Sequence, residues 1–166
     1  MEQIKDHGAM GSIGIFIINP EGAMLLHKKT DLLPSEYCWE IPYLIHYETA
    51  LSPLEAARNY LTHLGVFCQL YEAFTVHAHQ YAGGLIRGKG GRVIIARAST
   101  FAAFFHSATD VYAWMPIDEV VRDTHEHPAR YAPWLRSSLE GVVLYLKDII
   151  KNCDTDDCLL SQTETL

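Results

Sequence analysis

The first hint of chemistry in this sequence lies in its histidines. His77 and His79 share one face of a strand-like run, and with His46 and His63 they could form a nitrogen-rich site suited to Zn²⁺ rather than Mg²⁺. The alternative is ordinary half-buried or solvated imidazoles, because the chain holds nine histidines and the His-x-His pair has no obvious carboxylate partner. Between Leu44 and Val66 the only carboxylates are Glu48 and Glu55. Glu55 has a structural use as part of a helix cap, and Glu48 reads as a solvated loop residue unless the loop folds inward. The run Arg87-Gly88-Lys89-Gly90-Gly91-Arg92 could cradle phosphate through backbone amides and three cations. It does not open a helix, so it is no P-loop, and a mobile hairpin tip is the simpler reading.

These residues are positioned by a recognisable order of elements. Ser12 to Asn19 is a β-branched and aromatic run that stops at Asn19-Pro20-Glu21-Gly22, and Ala23 to Lys28 resumes as the second strand of a hairpin. Thr30 to Tyr37 reads as a loop, and Cys38 to Pro42 as a short strand ended by its proline. Irregular chain is expected from there to Leu51. Ser52-Pro53-Leu54-Glu55 is a helix start: Ser52 caps, Pro53 suits the first position and Glu55 closes a capping box. Leu54, Ala57, Leu61 and Leu64 form its apolar face, and Gly65 ends it. Val66 to Gln80 and Val93 to Ala98 predict a second hairpin with a long tip, and Val111 to Met115 a further strand. A short helix is expected from Pro116 and a long one over Pro133 to Lys151. Strands, helix, strands, helix is the order of an α+β fold, an α/β/α sandwich with a mixed sheet.

Length and composition narrow the function classes. The 166 residues, 49% hydrophobic, suit one domain over residues 1–152, with a polar and frayed tail over 153–166. No apolar run reaches the roughly 20 residues of a membrane-spanning helix. A net charge of −7, from 20 acidic and 13 basic residues, gives no general pull toward nucleic acid or anionic lipid. Phe101, Phe104, Phe105, Tyr112, Trp114, Tyr131 and Trp134 therefore read as core or dimer surface rather than as a base-stacking platform. The four cysteines include no C-x-x-C pair, and the first ten residues lack the apolar stretch of a secretory signal. A cytoplasmic location is expected.

The succession of hairpin, Trp39-Glu40-Ile41-Pro42, loop, and a helix with a central arginine ending in Leu64-Gly65-Val66 resembles the Nudix superfamily. The family's box reads G-x5-E-x7-R-E-U-x-E-E-x-G-U, with U aliphatic, and it anchors here on Arg58 and Gly65-Val66. Ala113-Trp114-Met115-Pro116-Ile117-Asp118-Glu119 also looks like the family, so the resemblance covers roughly residues 10 to 150. The departures are specific. Leu44 replaces the first glycine, Ala50 the first glutamate, and Asn59, Thr62 and His63 stand where three helix glutamates would hold Mg²⁺ or Mn²⁺. Within the superfamily the pattern resembles type I isopentenyl-diphosphate isomerase and its sister hydrolases. His46 follows Trp39 at the spacing of that branch's metal histidine, and Pro128 to Trp134 resembles its entry to the last helix. Leu44 takes the isomerase's cysteine position, and Gly90 and Arg92 those of its paired glutamates.

The resemblance implies a hydrolase of a small X-diphosphate, nucleoside or isoprenoid, dependent on Mg or Mn, with Zn as the alternative where histidines are the ligands. Arg58 would brace the loop, Glu48 or Glu40 would serve metal or water, and His63, Asn59 and His46 would be the metal ligands. Lys28, Lys29 or the Arg87 to Arg92 tip would hold phosphate, and Glu72 or Glu119 could supply carboxylates from outside the box. The implied partner is a small-molecule diphosphate, with neither nucleic acid nor membrane, and the fold is compatible with a homodimer. Two alternatives remain: a non-catalytic Nudix-fold binding or scaffold module, and an isopentenyl-diphosphate isomerase.

Overall fold

The computed structural model describes residues 10–29, 39–48, 50–66, 68–76, 91–98 and 110–153. Strands β1 (Met10–Ile18) and β2 (Ala23–Lys29) form the expected hairpin. Its turn is closed by Asn19, whose side-chain Oδ1 accepts from the Ala23 amide at 2.7 Å, and by Gly22, whose φ of +79° favours glycine. Then follow β3 (Tyr43–Glu48), α1 (Pro53–His63), β4 (Cys68–Val76), β5 (Gly91–Ala98), β6 (Asp110–Pro116), α2 (Ile117–Glu126) and α3 (Pro133–Cys153). The sheet runs β4-β5-β1-β2-β6, with β3 paired to β1 beside β2. Only β1 and β5 are parallel among these pairings, so the sheet is mixed, as expected.

Alternation along the strands sends side chains to two cores. Ile13, Ile15 and Ile17 of β1 pack with Leu25, Tyr43, Ile45, Ile94 and the inner side of α1, at Ala56, Ala57 and Leu61. Phe16 and Ile18 point the other way, into a core shared with Val120 of α2 and Trp134, Leu135, Leu139 and Val142 of α3. The result is the α/β/α sandwich. Tyr131 and Trp134 are core residues, and Tyr112 and Trp114 pack against the first core. Phe101, Phe104 and Phe105 lie outside the described residues.

Two expectations need correction. The chain after Pro42 is not irregular: Tyr43–Glu48 is a full strand, paired antiparallel to β1 from Met10↔Glu48 to Ile15↔Tyr43. Burial of Tyr43 and Ile45 against exposure of Leu44 and His46 shows the period of two that specifies it. Of the strand expected over 38–42, the described residues 39–42 form none of their own. Trp39 and Glu40 make single bridges to Tyr131 and His27. The short helix expected from Pro116 is α2, of 10 residues.

Helix α1 begins as the sequence predicts. The Ser52 hydroxyl accepts from the Glu55 amide at 3.2 Å, and the Glu55 carboxylate accepts from the Ser52 amide at 3.0 Å and its hydroxyl at 2.8 Å. These bonds hold the Glu55 carboxyl below its ordinary range, with a smaller contribution from Arg58. Ser52→Ala should cost about 1 kcal/mol, read as a lower urea midpoint with unchanged slope. A midpoint equal to that of wild type would show the cap to be idle.

Candidate functional site

Helix α1 turns Arg58, Asn59, Thr62 and His63 to solvent. Asn59 and His63, four residues apart, share a face of it. His46 does not join them. It stands on β3 at an even position, as Ser12 does on β1, and their side chains meet with Ser12 Oγ 3.0 Å from His46 Nδ1. That face of the sheet is the one toward Trp134, since a Cβ added at Gly14, also even, would overlap the Trp134 ring. The sheet therefore separates His46 from Asn59 and His63. Glu48 shares the parity of His46 in β3, and its side chain lies outside the described residues, as do Lys29, His77, His79 and Arg87 to Gly90.

The donors on α1 do not fit a hard divalent cation. Asn59, Thr62 and His63 bring lone pairs without charge, and Glu55, the carboxylate of this helix, is engaged by its own cap. Arg58 makes no hydrogen bond or ion pair among the described residues, so no loop brace is seen there. Glu72, a candidate carboxylate from outside the box, is bonded to Arg92 at 3.0 Å across the β4/β5 pair. Glu119 is exposed in the first turn of α2. One acidic group with metal-like spacing does occur: Asp123, Glu126 and His127 bring ligand atoms within 4.8 Å of one another.

Asp123 in that group already has protein partners. The Tyr131 hydroxyl donates to it at 2.8 Å, His127 Nδ1 lies at 2.8 Å, and Arg130 approaches at 3.5 Å. These bonds, the tyrosine's first, hold its carboxyl below the ordinary range. A depressed carboxyl stabilises the fold above its unfolded-state pKa, about 3.9, and loses that contribution as pH falls through the lower folded-state value. The melting-temperature gap between wild type and Asp123→Asn should therefore be constant above about pH 5 and close in stronger acid. A gap independent of pH would refute this.

The most unusual polar arrangement in the described residues is centred on His27. It pairs across strands with Tyr112 of β6 on one side and with Glu40 on the other, where two backbone hydrogen bonds of 2.9 Å form. Its side chain follows Leu25 onto the α1 face of the sheet and stacks on Tyr112 with ring centroids 5.4 Å apart. Burial is nearly complete, at 6% exposure. Glu40 Oε1 stands 3.6 Å from Nδ1, and Asp110 Oδ2 stands 3.5 Å from Nε2. Both separations exceed hydrogen-bond length, and Nδ1 has no hydrogen-bond partner among the described residues.

Tyr60 of α1 lies edge-on to Tyr43 at 5.6 Å, extending the aromatic wall beside Tyr112. Burial first, then the neighbouring phenols and Cys68 for Tyr43 and Asp110 and Tyr60 for Tyr112, pushes both phenols up, so both are neutral at physiological pH. The segment carrying Glu40 is held in place because Trp39 bonds to Arg130 and Ala132. Lys28, on the opposite face of β2, sits 5.9 Å over the Trp39 ring. Sequence reasoning named Glu40 and missed His27 and Asp110. The available signal was a lone histidine two residues after Leu25, at the inward period of a strand.

No helix among the described residues is long and apolar enough to cross a membrane. No family model matches the chain. An isopentenyl-diphosphate Δ-isomerase of Halorhodospira halophila is 28% identical over 155 residues, covering 84% of this chain and 85% of the relative. Among solved structures, DR0079 of Deinococcus radiodurans superposes with a TM-score of 0.52 at 10% identity, covering 76% of this chain and 80% of that one. Tm1382, provisionally assigned as a Nudix hydrolase, superposes with a TM-score of 0.54 at 14% identity, covering 83% and 71%. The two-core sandwich described above is thus the Nudix fold, and the sequence relative and structural neighbours are together consistent with the Nudix superfamily.

Proposed function

We propose that this protein acts on a small organic diphosphate by proton transfer through His27. The observation that carries the reading is the buried imidazole placed between Glu40 and Asp110, with Nδ1 unsatisfied. A proton accepted there is held between two opposite charges and can be returned to the substrate, so no net proton is consumed. The same two carboxylates oppose a phosphate beside the ring. The organic part of the substrate therefore faces His27, against the tyrosine wall, and the diphosphate lies farther out. Asn59 and His63, on the outward side of α1, are proposed donors to its oxygens.

The diphosphate class is supported by the fold and by the activity of the relative from Halorhodospira halophila. Hydrolysis by the family's metal route would need carboxylates that α1 does not offer, so Mg²⁺ or Mn²⁺ at Asn59, His63 and His46 is not part of this proposal. The same lack of carboxylates favours one second reading, a non-catalytic module that binds diphosphates.

The test is ³¹P and ¹H NMR of the protein with pooled nucleoside diphosphates, nucleotide sugars and isopentenyl diphosphate, in EDTA and separately in Mg²⁺, Mn²⁺ and Zn²⁺. Turnover that persists in EDTA is the expected result. Turnover abolished by EDTA would overturn the metal-independent reading, and binding without turnover would establish the module.

A further inference from the structure

The seam between α1 and β4 holds a pocket that the proton-transfer reading leaves unused. Leu61 anchors the helix in the first core, and the helix then ends at Gly65, whose φ is +73°. The chain reverses through buried Val66 and returns as β4, an edge strand, with Cys68 and Leu70 facing the helix. Their side chains do not close the gap, and a space of about 180 Å³ remains, with Arg58 and Thr62 at its rim. This is the edge of the sheet opposite β6, away from His27.

We propose that this pocket binds an organic anion carrying a short apolar chain of a few carbons. Volume sets the size: about 180 Å³ is below the roughly 300 Å³ at which pockets for larger organic ligands begin, so the space suits a short chain rather than a nucleoside. Lining sets the polarity. Leu61, Val66, Cys68 and Leu70 present apolar surface, and burial pushes the Cys68 thiol up, so it lines the wall as a neutral group rather than a nucleophile. Charge sets the head group. The Arg58 guanidinium has no ion pair among the described residues, and Glu55, three residues before it on α1, is held by the Ser52 cap. A planar fork beside a hydroxyl matches a carboxylate or a phosphate monoester.

The two sources of such an anion are separated by titrating ¹⁵N-labelled protein with isovalerate, with isopentenyl monophosphate, and with inorganic phosphate as the headgroup alone. One or both organic probes should shift the amides of Thr62, Val66, Cys68 and Leu70, and phosphate alone should bind at least about tenfold more weakly. Arg58→Gln should weaken the organic probe by about tenfold or more while the spectrum stays folded, as loss of a charge-assisted hydrogen bond predicts. Leu70→Phe, which fills the space and leaves Arg58 in place, should also block it. Shifts centred elsewhere, equal binding of inorganic phosphate, or no response at Thr62 to Leu70 with either organic probe would overturn the proposal. Turnover of a diphosphate at His27 is read separately and survives any of these failures.

Discussion

Gly14→Ala should lower the melting temperature by about 6–12 °C, the shift expected for about 3 kcal/mol in a chain of this length. Gly14 lies in the middle of β1 and faces the second core, where the Trp134 ring covers its Cα directly. A methyl group there would overlap that ring, so one of the two must move. Trp134 cannot swing out cheaply: it is 7% exposed, stacks on Phe16 at 5.7 Å, and lies in the first turn of α3. Backbone movement is no easier, because β1 is paired to β5, β3 and β2. Thermal unfolding of Gly14→Ala, Trp134→Leu and the double variant gives the check. The double variant should be more stable than the sum of the single losses predicts, because each change removes the reason for the other's penalty. Strict additivity would show that Trp134 is not what Gly14 accommodates.

On the proposed proton-transfer reading, His27→Gln should leave the protein folded and reduce diphosphate turnover by about 10² to 10⁴, the range for loss of a general acid or base. Glutamine keeps polar atoms in the buried position, and its amide NH2 can donate to Glu40 or to Asp110. It cannot take up a proton. A purely structural histidine, one that only ties β2 to β6 and to residue 40, would show the reverse pattern: a large change in melting temperature and an unchanged rate per folded molecule.

How much of this was legible in the sequence depends on the range of the interaction. The turn at Asn19 to Gly22, the Ser52 capping box and the stop at Gly65 are local, set by residues within three or four of each other, and they appear where the sequence places them. The strand Tyr43–Glu48 carries its own alternation in burial, yet its six residues read as irregular chain between Pro42 and the Ser52 helix start. Candidate site residues were harder. His46 and His63 look like neighbours by family spacing, but the parity of β3 puts His46 beside Ser12 on the far face of the sheet. His27, Glu40 and Asp110 come from three separate stretches of chain. Only the strand register that pairs His27 with Tyr112 and Glu40 brings them together, and the sequence has no local sign of that register.

The most direct measurement compares wild-type protein with His27→Gln on isopentenyl diphosphate in D₂O containing EDTA, followed by ¹H and ³¹P NMR. Where isopentenyl diphosphate is the member of the pool that is turned over, the account predicts that the wild type incorporates deuterium into its organic part. It also predicts that the folded variant does so at least about 100-fold more slowly. For another diphosphate the same comparison is made on that substrate. Equal rates in the two proteins, or a reaction of the wild type that appears only when Mg²⁺ or Mn²⁺ is restored, would contradict it.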